Sequence, residues 1–370
     1  MVELYPPKAA PVQIPVRQDL LPVEQVERIC ISVNTICNLG CDYCYFFHPE
    51  NRVEKEKPLS ADEIFVILKN ALEYHRHYRF DKKIKINFVG SGEPLIHWRN
   101  IRDGVQLLVE AYPNQESLKF YTVTNATLVT EQIAEDMLAL NIVPSVSIDG
   151  PRAIHDKHRL DHNGKGSFDA AMLGIEILRR RGFDVAINTT LTMDLLNQLD
   201  EYVEFIKQQE FTKVIFDRLV DTPEHVEALS YAQYYQFLQD IKTKFDLAGL
   251  TRVEIGNLEA YRRNFAGKPD KVCTMFGGSC GAGSNFVIYM GREVYPCGRM
   301  FGQSKWLLGS INDPIDSFPK KMAKHWPERQ DCKTCQVASD CVRDCLLEYH
   351  TKDYSCDPRK DFLTTMKGVL

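Results

Sequence analysis

The chain has 370 residues, 44% of them hydrophobic and 26% charged, with a formal net charge of −5. That length and apolar content bury a sizeable core in one large domain or two, and the interspersed acids and bases exclude a polybasic surface for nucleic acid or anionic membrane. No apolar run is long enough to span a bilayer and the N-terminus lacks a basic segment followed by an apolar one, so the expected address is the cytoplasm, with the twelve cysteines serving as metal ligands rather than disulfides.

Residues 1–27 carry five prolines and little periodicity, and are expected to form an extended N-terminal arm. Arg28-Ile-Cys-Ile-Ser-Val-Asn34 alternates and is rich in β-formers, so it reads as a first strand that delivers the segment after it to the strand's C-terminal end. Ser60-Ala-Asp-Glu63 is a capping box opening a helix to about His77, and Lys83-Ile-Lys-Ile-Asn-Phe-Val89 is a second strand. The rhythm continues with helices near about 99–111, 130–140, 168–181, 198–209 and 230–247, and strands near about 118–124, 142–148, 184–191 and 213–218. Six parallel strands with crossover helices make a partial (β/α)6 barrel. A doubly wound open sheet would show the same alternation, but polar and ionisable residues recur just after successive strands, where an α/β barrel builds its site. Beyond about residue 250 the rhythm fades and cysteines dominate, which places a domain boundary between Leu250 and Gly256, with a barrel over 28–250 and a cysteine-rich domain over 251–370.

Directly after the first strand stands Cys37-Asn-Leu-Gly-Cys41-Asp-Tyr-Cys44, three thiols in eight residues. A cubane [4Fe–4S] cluster takes four thiolates, so three close ligands leave one iron without a protein partner. A zinc site would need a fourth ligand, for which His48 is the local candidate. Eight further cysteines follow at 273, 280, 297, 332, 335, 341, 345 and 356. Eight ligands suit two four-cysteine sites, of iron–sulfur or zinc type, and leave Cys30 as a small core residue of the first strand.

The strand ends carry further candidates. Gly90-Ser91-Gly92-Glu93-Pro94 offers glycines that permit close backbone approach and one carboxylate; alone it is an ordinary turn with a solvated acid. Thr124-Asn125 ends the third strand as a cap or turn pair. Ser147-Ile-Asp149-Gly-Pro ends the fourth, followed by His155-Asp-Lys-His158-Arg159. Neither histidine sits in a metal pattern, and both are expected at the surface or in support.

With Tyr43 in its aromatic position, the C-x3-C-x-(aromatic)-C motif resembles that of the radical S-adenosylmethionine (SAM) family, whose fold is a partial (β/α)6 barrel. The resemblance implies that Cys37, Cys41 and Cys44 hold a cluster whose open iron is chelated by SAM, and that a 5′-deoxyadenosyl radical abstracts a substrate hydrogen. It implies cofactor contacts from Tyr43, from Ser91, Gly92 and Glu93 in a GGEP-like motif, and from Ser147 and Arg159 to the SAM carboxylate. The C-terminal spacing resembles the SPASM extension, which holds two auxiliary [4Fe–4S] clusters and makes three clusters in all. Carried over, Cys273, Cys280, Cys297 and Cys345 ligate the nearer and Cys332, Cys335, Cys341 and Cys356 the outer one. Gly291 stands one residue further from Cys297 than in the usual pattern. Gly298 stands where the anaerobic sulfatase-maturing enzymes place an aspartate base.

The resemblance favours a maturase of ribosomally made peptides that abstracts a hydrogen from a peptide residue and completes an oxidative modification such as a C–C or C–S crosslink. A sulfatase-maturase-like enzyme, a small-molecule dehydrogenase and a non-catalytic electron-transfer protein are the alternatives. A precursor peptide, an external one-electron reductant of flavodoxin or ferredoxin type and a separate leader-binding protein are the expected partners.

Overall fold

The computed structural model describes residues 25–44, 46, 57–220, 227–268, 273–278, 280–325, 335–341, 345–348 and 355–370. The expected arm up to residue 24, His48 and Cys332 therefore lie outside the described residues.

The fold is the expected mixed α/β barrel. Strands β1 (Arg28–Ser32), β2 (Ile84–Phe88), β3 (Leu118–Thr124), β4 (Ile142–Ser147), β5 (Ala186–Leu191) and β6 (Lys213–Arg218) run parallel and pair in chain order. Helices α1 (Ala61–Tyr78), α2 (Trp98–Ala111), α3 (Glu131–Ala139), α4 (Arg152–His158), α5 (Phe168–Arg180), α6 (Met193–Asn197), α7 (Leu199–Gln208) and α8 (Tyr231–Leu247) fill the crossovers and the segment after β6. Side chains alternate along each strand. In β2, β3, β4 and β6 one face is fully buried while the other is only partly covered, as expected of a sheet packed on helices outside and facing a barrel lumen inside.

Local chemistry explains the element starts. Ser60 Oγ accepts the Glu63 amide at 3.2 Å and the Ser60 amide donates to Glu63 Oε2 at 2.8 Å, closing the expected capping box of α1. The same Glu63 carboxylate takes a forked pair from Arg292, at 2.6 and 2.9 Å.

Beyond residue 250 the chain does not begin a new sheet. Strand β7 (Glu254–Ile255) pairs with β6 at one edge, and β8 (Phe286–Met290) runs parallel to β1 at the other. A turn at Gly291 (φ 59°) leads into antiparallel β9 (Glu293–Tyr295), and β10 (Gly309–Ser310) completes ten strands among the described residues. Helix α9 (Gly256–Phe265) lies between β7 and β8, and α10 (Ser317–Met322) and α11 (Asp357–Met366) come after β10. Phe362 of α11 stacks on Tyr235 of α8 with centroids 4.8 Å apart, and Arg359 donates to the Tyr235 hydroxyl at 2.6 Å. One continuous apolar core thus includes both Ile29 of the first strand and Met366 of the last helix. Cys30 is buried in it, its thiol pushed up to about 12 by that burial.

Candidate active site

The cysteine loop leaves β1 and is fastened to the ends of β2 and β3. Asn34 accepts the Ile36 amide at 2.9 Å and donates to the Glu93 carbonyl at 3.0 Å, while the Glu93 amide donates to the Ile36 carbonyl at 2.9 Å. Ser32 Oγ accepts the Ser91 amide at 3.1 Å and lies 3.1 Å from Ser91 Oγ. A Cβ on Gly90 would collide with the Ser32 side chain, and one on Gly92 with Asn34 and the Ile36 carbonyl. The glycines are thus required by the approach of the chain's own first loop.

Glu93 is buried, and its oxygens accept from Thr124 Oγ1 at 2.6 Å, the Leu95 amide at 3.1 Å and the Asn125 amide at 2.8 Å. Burial raises its carboxyl above the ordinary range, against the pull of those donors. Ser91 and Glu93 therefore direct their side chains into the seam between three strand ends.

Asn125, which in sequence reads as a turn residue, reaches the Cys37 sulfur at 3.8 Å, and the Leu39 amide lies 3.5 Å from the same atom. The loop's other side is held by the segment after α4. Gly40 donates to the Leu160 carbonyl at 2.8 Å, Asp42 to the His158 carbonyl at 3.1 Å, and His162 meets the Cys37 carbonyl at 2.9 Å.

Burial pushes the Cys37 thiol up to about 11 and Cys41 to about 12, and the neighbouring Cys44 adds to both shifts. Thiols placed like Cys37 and Cys41 do not ionise together without a cation, and a coordinated metal deprotonates its thiols outright. The all-sulfur donor set fits an iron–sulfur cluster. Among the described residues no three His, Cys, Asp or Glu side chains converge as on a single ion; the thiolates of a cubane each bind a separate iron and need not converge.

Below the loop lies a buried ionic knot. Asp149, fully buried after β4, accepts from Tyr43 Oη at 2.5 Å, Arg159 Nε at 2.9 Å and Nη2 at 3.2 Å, and the Thr190 amide at 2.9 Å. Burial alone would raise its carboxyl, but Arg159 foremost, with His155 and Tyr43, holds it below the ordinary range. Arg159 also lies over the Tyr43 ring, 5.5 Å from its centroid, and reaches Thr190 Oγ1 at 3.3 Å.

The two histidines expected at the surface or in support are both buried supports. His155 is lowered to about 4 by burial, so it is neutral; its Nδ1 accepts the Asp149 amide at 3.4 Å and its Nε2 donates to Ser167 at 3.0 Å. For His158, burial lowers the pKa, but Asp42 and Asp194, each 2.9 Å from a ring nitrogen, raise it overall.

The lumen adds residues that drew no notice in sequence. Ser145 shares one face of β4 with Ser147, a residue already expected at the site, and donates to Asn188 on β5, and Thr190 stands in register with Asp217 on β6. Asp217 hydrogen-bonds Asn188, yet its buried Oδ1 has no partner among the described residues, and burial raises its carboxyl to about 7. A lone acid at a strand end carries no sequence signal of burial. Charging it in the folded state costs stability that accumulates as pH rises from about 4, the ordinary carboxylate value, to 7. Asp217→Asn should therefore raise the denaturation midpoint at pH 8 and leave it nearly unchanged at pH 4, as measured by thermal melts across that range.

In the C-terminal segment, Cys280, Cys297 and Cys345 lie close enough for their thiols to influence one another. Burial raises Cys280 to about 11 and Cys297 to about 12, and Cys345 adds to each. Cys335 and Cys356 both act on the Lys360 ammonium, which places them together near α11. Cys273 acts on Tyr234, and Cys341 packs against the main core.

The Radical SAM superfamily model matches residues 31–208. An uncharacterized protein of Methanocaldococcus jannaschii is 30% identical over 292 residues, 79% of this chain and 91% of the relative. A cysteine-type anaerobic sulfatase-maturating enzyme of Clostridium novyi is 28% identical over 327 residues, 84% of each chain. In fold, the solved structure described as native anSMEcpe with bound AdoMet and Cp18Cys peptide is similar, with a TM-score of 0.72 at 19% identity, covering 92% of this chain and 99% of that one. No described helix is long and apolar enough to cross a membrane. With the cysteine loop at the mouth of a parallel barrel and the family match across it, the chain belongs to the Radical SAM superfamily, whose members work with a [4Fe–4S] cluster and SAM.

Proposed function

We propose that the chain is a peptide-modifying radical SAM enzyme, a maturase that completes an oxidative change such as a C–C or C–S crosslink. The observation that carries this reading is the cysteine loop seated on the buried Tyr43–Asp149–Arg159 knot at the lumen mouth. When bound, the cluster and SAM supply a 5′-deoxyadenosyl radical able to take a hydrogen atom from substrate. The chain's own residues hold and orient. Cys37, Cys41 and Cys44 are the ligands. Tyr43 and Asp149 fix Arg159 so that Nη1, the nitrogen outside the Asp149 pairing, is available with Ser147 to a carboxylate. Ser91, Gly92 and Glu93 set the backbone beside the loop. The peptide substrate is supported by the peptide named for the solved structure of similar fold.

In this reading residues 28–250 form the catalytic barrel, and 251–370 carry two further [4Fe–4S] clusters. Cys273, Cys280, Cys297 and Cys345 hold one, and Cys332, Cys335, Cys341 and Cys356 the other. An external flavodoxin- or ferredoxin-type donor supplies electrons, and a separate protein presents the leader.

Likeness to the Clostridium novyi enzyme favours sulfatase maturation as a second reading. Against it, Gly298 offers no proton acceptor, and the adjacent Arg299 is engaged with Glu348.

Anaerobically reconstituted protein should hold about twelve irons, from three four-iron clusters, and form 5′-deoxyadenosine from SAM under dithionite. Tightly bound zinc in place of iron, with no 5′-deoxyadenosine, would refute the proposal.

A further inference from the structure

The Gly298-Arg299 pair, left without a role by the loss of the aspartate, occupies a specific place. Arg299 Nη1 lies 3.2 Å from Cys345 Sγ and 2.9 Å from Glu348 Oε1. The Arg299 amide hydrogen-bonds the Cys297 thiol, and its charge pulls down both Cys280 and Cys297. One residue thus acts on three of the four thiols assigned to the nearer auxiliary cluster. Glu348 in turn accepts from Arg218 Nη2 at 2.5 Å, and Arg218, the last residue of β6, also donates to the Leu229 carbonyl at 2.8 Å and lies over the Tyr231 ring, 4.1 Å from its centroid. The guanidinium is therefore not a free surface charge. It is held against the sulfur by a largely buried Arg–Glu–Arg chain rooted in the barrel wall, where side-chain exposures are 13% for Arg299, 15% for Glu348 and 8% for Arg218.

Hydrogen bonds and positive charge at cluster sulfurs stabilise the reduced, more negative state and raise the reduction potential. We infer that Arg299 is a positioning residue that sets the potential of the cluster held by Cys280, Cys297 and Cys345 upward, making it a better one-electron acceptor, with Glu348 and Arg218 fixing its geometry. This rests on the three-cluster reading above and extends it from ligands to tuning.

The test uses the full-length, anaerobically reconstituted protein without substrate. Dye-mediated redox titration followed by electron paramagnetic resonance reads each cluster's midpoint potential in wild type, Arg299→Met and Arg299→Lys. The expected result is a more negative midpoint for one auxiliary cluster in Arg299→Met, partial recovery in Arg299→Lys, and unchanged potentials for the other two clusters at unchanged iron content. Unmoved potentials in Arg299→Met at full iron content overturn the inference. Should Arg299→Met lose iron, Arg299→Gln replaces it, with the same expectation against Arg299→Lys. If all three variants lose about four irons, Arg299 is a support for cluster assembly and the tuning role is overturned. Wild-type protein holding about four irons rather than twelve would instead defeat the cluster assignment beneath it, which separates the two failures.

Discussion

Triple replacement of Cys37, Cys41 and Cys44 with alanine should abolish 5′-deoxyadenosine formation and remove about four of twelve irons, while the C-terminal clusters stay in place. The fold should survive, because the loop's attachments run through main-chain groups and neighbours rather than through its sulfurs. Gly40 and Asp42 bond the 158–160 backbone, and Asn34 and Ile36 bond Glu93. Burial disfavours the charged thiolate at Cys37 and Cys41, so removing those side chains takes away no ionic interaction the apo fold relies on. The measurement is iron per chain, 5′-deoxyadenosine by chromatography, and circular dichroism against wild type. Retained SAM cleavage would disprove the assignment of the loop.

Asp149→Asn should destabilise the protein by about 3–5 kcal/mol, because it leaves the Arg159 guanidinium buried without its charge partner. SAM affinity should fall with it, since Arg159 loses the anchor that aims it, and the Tyr43 hydroxyl loses its acceptor at the base of the cysteine loop. The pH dependence follows from the direction of the shift. Asp149 is held below the ordinary carboxylate range, so its contribution is full above about pH 4 and lost as pH falls through the lower folded value. Urea denaturation of wild type and variant should therefore show a gap that is widest at neutral pH and narrows in acid. A constant gap down to pH 2 would contradict the charge pairing.

Much of the barrel is readable in the sequence because each signal is local. The capping box at Ser60 and Glu63 marks α1 within a residue, and the alternation Lys83-Ile-Lys-Ile-Asn-Phe marks β2. What escapes notice depends on distant partners. Helix α4 is short and polar, with no apolar period, and is held because His155 bonds the Asp149 turn and Ser167 while His158 bonds Asp42 and Asp194. The strand β8, Phe-Val-Ile-Tyr-Met, is an unbroken apolar run lodged among cysteines, and only its pairing with β1 reveals it as part of the barrel sheet. At the site, the cysteine positions are legible because spacing within one loop is a sequence property. The roles of Glu93, Asn125 and Asp217 are not, because burial and hydrogen-bond partners come from other strands.

The pairing of β1 with β8 also bears on the order of synthesis. On the ribosome, β1 emerges early and meets β2 soon after, which satisfies one of its edges. The other edge cannot be completed until Phe286–Met290, far downstream of β1, has left the exit tunnel. Until then the strand that carries the cysteine loop presents unpaired backbone groups, a template for wrong association. The edge of the sheet that carries the cysteine loop can therefore close only once β8 has emerged, so shorter nascent chains cannot offer the first cluster a fully paired β1.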